Sequence, residues 1–250
     1  MDLAKLAVLS KKTFSTIIPS LGIEVFGKPY TLDDEVTIAS LLQLTDIRFF
    51  YGAIANLLME KYSLTPEFIN KLTHVDIQWL VVQLKKNSDG PKLTIQFDCP
   101  KQQCGKTLTT EIILDDIKIE NQDKFKKILP VTESISIEIG VPPFSKFYDI
   151  IQQFAFIKQD DLAEYTRKDI ELFKSSILAI YDGDSVIDPE TLDPQLFDQK
   201  VRSELRKQYQ EYLRYREEEF PNIVYPKHVI CANCKNEIKL TIDDFFYSTL

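Results

Sequence analysis

Cys99-Pro100-Lys101-Gln102-Gln103-Cys104-Gly105-Lys106 and Cys231-Ala232-Asn233-Cys234-Lys235-Asn236-Glu237 decide how this chain is read. They hold all four cysteines of its 250 residues. Each pair is flanked by alternating or apolar text: Leu93-Thr94-Ile95-Gln96-Phe97 and Leu108–Leu114 around the first, Val229-Ile230 and Ile238–Ile242 around the second. Such alternation predicts strands, and a strand, a tight turn and a returning strand aim two thiolates at one point. Two such turns supply four soft ligands, the set that suits tetrahedral zinc. Two disulfides, or four free buried thiols, are the alternatives. The halves also echo each other. Cys104-Gly105-Lys106 leads through a strand-like run to Asp115-Asp116-Ile117, and Cys234-Lys235 leads through a run two residues shorter to Asp243-Asp244-Phe245.

If Cys99, Cys104, Cys231 and Cys234 share one metal, residues near 90–140 and 221–250 form one β unit, and the rest is inserted into it. Four protein ligands close a structural site and leave no position for substrate. The expectation is a protein that holds chain segments together and is not an enzyme. The fold class is α+β: a discontinuous β unit with a four-cysteine, zinc-ribbon-like site, interrupted by helical insertions.

Composition narrows the function. With 44% hydrophobic and 27% charged residues the chain can bury a sizeable core. A net charge of −8 argues against a surface that neutralises phosphates. Seven glycines leave little room for a phosphate-cradling loop. No run approaches the roughly 20 apolar residues of a membrane span. Met1-Asp2-Leu3-Ala4-Lys5 does not open a signal peptide. Assembly is therefore expected in a reducing cytoplasm, where cysteine pairs favour metal over disulfide.

Five segments follow in order. Residues 1–30 form an arm with a β-hairpin, its strands at Thr13–Ile18 and Ile23–Phe26 around Pro19-Ser20-Leu21-Gly22. Residues 31–89 are helical: Thr31 caps an acidic first turn, Thr65-Pro66-Glu67 opens a short helix, and Thr73 with Asp76 opens another carrying Trp79. Residues 90–140 hold the first cysteine hairpin and a strand at Ile135–Ile139. Residues 141–220 are a helical insertion, with helices over Phe147–Phe156, Arg167–Ile180 and Pro194–Glu219. Residues 221–250 carry the second cysteine hairpin. Asp182-Gly183-Asp184 lacks the spacing of a calcium loop and reads as a surface turn. His228, three residues before Cys231, is a further candidate ligand, although it reads more simply as a strand residue. Tyr209, Tyr212 and Tyr215 line a charged helix that is either solvated or packed on a neighbouring subunit. Phe245-Phe246-Tyr247 are costly to leave in water. They either close the second hairpin's core or anchor in a partner.

The order of landmarks resembles a known family, the baseplate hub subunits of T-even-like contractile-tailed bacteriophages. The residues that carry the likeness are Ile18-Pro19-Ser20, Gly27-Lys28-Pro29-Tyr30, Asp34-Glu35, Asp76-Ile77-Gln78-Trp79-Leu80, Ser88-Asp89-Gly90, the two cysteine pairs and Phe245-Phe246. Lys28 stands where an arginine is usual. The resemblance implies a structural or assembly role in the virion tail, in a hetero-oligomeric assembly with other hub, baseplate and tail proteins, the tape-measure protein among them. A zinc-ribbon adaptor for nucleic acid or a polymerase is the other reading. It would surround its cysteines with surplus Lys and Arg, whereas here Lys101, Lys106, Lys227, Lys235 and Lys239 are offset by Asp98, Glu111, Asp115, Asp116, Glu237, Asp243 and Asp244.

Overall fold

A computed structural model describes residues 13–36, 47–101, 104–154, 161–225 and 228–239. The chain divides into two units. One is drawn from Met1–Pro66, Asp76–Glu120 and Ile223–Leu250, the other from Glu67–Val75 and Asn121–Asn222.

In the first unit β1 (Phe14–Ile18) and β2 (Ile23–Gly27) pair antiparallel, Phe14 opposite Gly27 and Ile18 opposite Ile23. The N–H of Gly22 closes the turn on the Ile18 carbonyl at 2.8 Å, and Gly22 takes φ +65°, a conformation that favours glycine. Thr16, Ile18 and Val25 face inward. Gly27 is required by packing: a Cβ there would come within 2.5 Å of the Phe14 ring and 2.8 Å of the Tyr62 ring. Those two rings meet edge-on at 5.6 Å. Tyr62 ends α1 (Ile47–Tyr62) and donates its hydroxyl to the Leu80 carbonyl at 2.8 Å. Leu80 lies on α3 (His74–Asp89), which follows the single-turn α2 (Pro66–Ile69).

Landmarks far apart in sequence meet on α3. The fully buried Asp76 carboxylate accepts from the Ser20 N–H at 2.9 Å and from the Ser20 hydroxyl at 2.6 Å. The Trp79 indole N–H donates to the Thr16 hydroxyl at 3.2 Å. The Tyr30 N–H donates to the Ser88 hydroxyl at 2.9 Å, and the Tyr30 hydroxyl donates to Asp89. Gly90, at φ +100°, ends the helix with its N–H on the Lys86 carbonyl.

Two cysteine-bearing hairpins complete this unit. β3 (Lys92–Asp98) pairs with β4 (Thr107–Ile113), Lys92 opposite Ile113 and Asp98 opposite Thr107. β11 (His228–Ile230) pairs with β12 (Glu237–Lys239). The chain leaves through β5 (Lys118–Glu120) and returns through β10 (Asn222–Val224), and these two strands are paired.

The second unit is built on a four-stranded antiparallel sheet in sequence order: β6 (Lys126–Pro130), β7 (Ile135–Gly140), β8 (Ile177–Asp182) and β9 (Ser185–Ile187). The strand at Ile135, grouped with the first cysteine hairpin in the segment 90–140, belongs to this sheet, and so to the other unit. Its helices are α4 (Phe144–Phe154), α5 (Leu162–Ser176), α6 (Pro194–Glu204) and α7 (Arg206–Glu218). Leu129, Ile137 and Ile139 from the sheet share a core with Leu172, Phe173, Val201, Tyr212 and Tyr215.

Three details differ from expectation. The helix over Arg167–Ile180 ends at Ser176, where Ile177 turns directly into β8. Ile177 and Ile180 are β-branched and pair with Ile139 and Ile137 of β7. The helix over Pro194–Glu219 is two helices, broken at the buried Leu205, whose φ −99° and ψ 25° leave the helical region. Tyr212 and Tyr215 are neither solvated nor free for a neighbour: both are fully buried in this unit's core. The Tyr212 hydroxyl accepts from Ser176 at 3.1 Å, and the Tyr215 hydroxyl donates to the Lys124 carbonyl at 2.5 Å. Asp182-Gly183-Asp184 is the β8–β9 turn, with Gly183 at φ +57°.

Asp76→Ala removes the carboxylate that holds the hairpin turn and leaves its donors unpaired. It is expected to destabilise the chain by roughly 2–3 kcal/mol in urea unfolding followed by the fluorescence of Trp79. Glu111→Ala, which breaks an exposed pair with Lys92, should cost less than about 0.5 kcal/mol. Equal effects of the two substitutions would refute the role given to Asp76.

Candidate metal centre

Both cysteine turns are closed in the same way. In the first, the Cys99 N–H donates to the Lys106 carbonyl at 2.9 Å, one residue before β4 begins. In the second, the Cys231 N–H donates to the Asn236 carbonyl at 2.9 Å, one residue before β12 begins. The turns differ in length only between their cysteines: four residues separate Cys99 from Cys104, two separate Cys231 from Cys234. Each turn also needs one left-handed residue, Gly105 at φ +56° and Lys235 at φ +59°. The Lys235 N–H bonds back to the Cys231 carbonyl at 2.8 Å. Thr107 locks the base of the first turn through its hydroxyl, 2.8 Å from the Asp98 carboxylate.

The two turns bring the four sulfurs together. Cys99 Sγ lies 3.6 Å from Cys234 Sγ, and Cys104 Sγ lies 3.7 Å from Cys231 Sγ. All four fall within 4.8 Å of one another. A disulfide requires about 2.05 Å, so these are four free thiols. Ligands about 2.3 Å from a tetrahedral zinc stand about 3.8 Å apart, which is the spacing of the two cross-hairpin pairs. Among the described residues this is the one cluster of metal-ligating side chains, and it is able to hold a metal ion. Leu108 and Ile238 pack with the buried Cys99 and Cys231, and Phe97 and Val229 pack against them. His228, the further candidate, stands apart: its Nδ1 meets Glu237 Oε1 at 2.5 Å on the exposed face of the β11–β12 ladder.

The surroundings stabilise sulfur anions unevenly. The Asn233 side-chain amide donates to Cys104 Sγ at 3.5 Å, and this bond, followed by smaller contributions, brings the Cys104 thiol down to about 6. The backbone N–H of Cys234 holds the Cys231 thiol below its ordinary range. At Cys99 the largest single effect, a bond from the Lys101 backbone, lowers the thiol's pKa. Burial and the three neighbouring sulfurs outweigh it and push the thiol up to about 12. Four sulfurs this close resist full ionisation unless a cation sits among them, which is the condition a metal meets.

Phe245, Phe246 and Tyr247, the expected partner-binding residues, lie outside the described residues. No helix among the described residues is long and apolar enough to cross a membrane. The model of the T4 bacteriophage base plate protein family matches residues 11–246. The chain belongs to this family: it is a baseplate protein of a T4-like phage, a class whose members interact with other baseplate proteins of the virion tail. No curated protein and no solved structure matches it. Spacing in the sequence points to the four cysteines, whereas Asn233 carries no mark there beyond its place inside the second turn.

An ion held by these sulfurs should bind about tenfold or more weakly after Asn233→Ala, read by competition with a chromophoric chelator, because outer-shell partners of metal ligands typically contribute that much. Unchanged affinity would mean that its bond to Cys104 has no bearing on the ion.

Proposed function

We propose that this baseplate protein is a structural and assembly component of the hub, and that Cys99, Cys104, Cys231 and Cys234 hold one structural zinc ion. The carrying observation is the convergence of four sulfurs from two distant hairpins in a member of the base plate family. Four thiolates satisfy a tetrahedral ion completely, which leaves no open coordination position for chemistry. On this reading the chain is not an enzyme. Zinc supplies cross-linking, and its binding energy becomes folding energy for the first unit. The hub reading draws on the landmark resemblance. Its neighbours would be hub and tail proteins, including the tape-measure protein, in a hetero-oligomer assembled in the host cytoplasm and carried in the virion tail.

Metal analysis of the purified chain should give one zinc per molecule. Cys99→Ser and Cys231→Ser should each lose that zinc and several kcal/mol of stability, on the scale of structural sites. The double variant should be no worse than either single one, since all three lose the same ion. Wild-type metal content and melting temperature in both single variants would sink the shared site. For the hub assignment, an epitope tag on the chain, imaged by gold labelling of isolated baseplates, should mark the central axis. Label confined to the periphery, the sheath or the tube would refute it.

A further inference from the structure

The four sulfurs are placed for a second chemistry. Cys99 Sγ meets Cys234 Sγ at 3.6 Å, and Cys104 Sγ meets Cys231 Sγ at 3.7 Å. Each contact runs from one hairpin to the other, and together they use every cysteine once. Both pairs stand about 1.6 Å beyond the length of a disulfide bond. Each also joins a buried cysteine, Cys99 or Cys231, to a partly exposed one, Cys234 or Cys104.

Sequence distance favours other partners. In a loose chain the short loops Cys99–Cys104 and Cys231–Cys234 close most readily, because closure costs more as the loop lengthens. The cross pairs close loops of 135 and 127 residues, and it is the folded arrangement that brings them into contact. A disulfide compatible with the fold stabilises most when its loop is long.

We infer that the cluster is a modification site, which a small-molecule disulfide converts into two hairpin-to-hairpin bonds, Cys99–Cys234 and Cys104–Cys231, that hold the hairpins together without a metal. The Cys104 thiolate attacks one sulfur of the reagent, whose S–S bond breaks and releases one thiolate. Cys231 then attacks the Cys104 sulfur of this mixed disulfide, forms the Cys104–Cys231 bond and expels the second reagent thiolate. Two cysteine thiols give up two protons and two electrons, and the reagent leaves as two thiols. Cys234 and Cys99 react in the same way with a second equivalent. Consuming the thiolates releases any ion they hold. A virion carries its tail proteins from a reducing cytoplasm into an oxidising medium, the change under which disulfides form and persist. The inference rests on the reading that the four sulfurs form one site, and not on which ion fills it.

The test incubates the full-length, zinc-treated chain with oxidised glutathione and EDTA, blocks the remaining thiols and maps the disulfides by peptide mass spectrometry without reduction. Fragmentation between Cys231 and Cys234 assigns each partner. Cys99–Cys234 and Cys104–Cys231 are expected as the predominant links in the folded chain, and Cys231–Cys234 in the same chain oxidised in urea. In EDTA the oxidised chain should melt at a higher temperature than the reduced one, and phosphine reduction should abolish the gain. Within-turn links or the opposite cross pairing as the main folded product overturns the inference. So does a reaction that stops at glutathione adducts, or an oxidised chain that melts no higher than the reduced one. Within-turn links in a chain that binds one zinc would sink this inference and leave the metal reading standing. The expected cross links in a chain that takes up no metal would do the reverse.

Discussion

The cysteine cluster of the first unit depends on two hairpins finding each other across the chain. Cys99 and Cys234 are 135 residues apart and Cys104 and Cys231 are 127 apart, yet their sulfurs nearly touch. Closing so long a loop costs conformational entropy, but that cost grows only logarithmically with length. A cluster of four sulfurs with a small apolar jacket of Leu108, Ile238, Phe97 and Val229 is a thin interface by itself. The ion that would bind there therefore bears on the fold, not only on the local turn.

The strand arrangement explains how the long excursion is tolerated. β5 and β10 are hydrogen-bonded neighbours, so the chain departs and returns at adjacent positions. The intervening residues form a sheet and core of their own, centred on Phe173, Tyr212 and Tyr215. The two units are held by different contacts. The first is secured by Asp76 on the hairpin turn and by the cysteine turns, the second by buried tyrosines.

Legibility in sequence followed how local the determining interaction is. The cysteine turns, the N-terminal hairpin and the start of α3 are set by neighbours within a few residues, and their signals were readable. So was the order of landmarks, though not its reason. That Ser20 meets Asp76 and Tyr30 meets Ser88 and Asp89 is a tertiary fact with no local sign. Ile177-Leu178-Ala179-Ile180 is apolar enough for a buried helix or a strand, and only the open edge of β7 decides between them. The break at Leu205 has no glycine or proline to announce it. The tyrosines of α7 read as a surface stripe because charged residues surround them, whereas their rings turn inward.

The alternation of the two units along the chain sets an order of events during synthesis. Cys99 and Cys104 emerge from the ribosome with β3 and β4, but Cys231 and Cys234 follow about 130 residues later. At about 5–20 residues per second that delay is roughly 6–25 s. The second unit's sheet and helices are translated within that interval, while the first unit holds only one of its two thiol pairs. Nascent chains therefore meet metal, oxidants and chaperones with half of the four-sulfur cluster, and the second cysteine hairpin completes it.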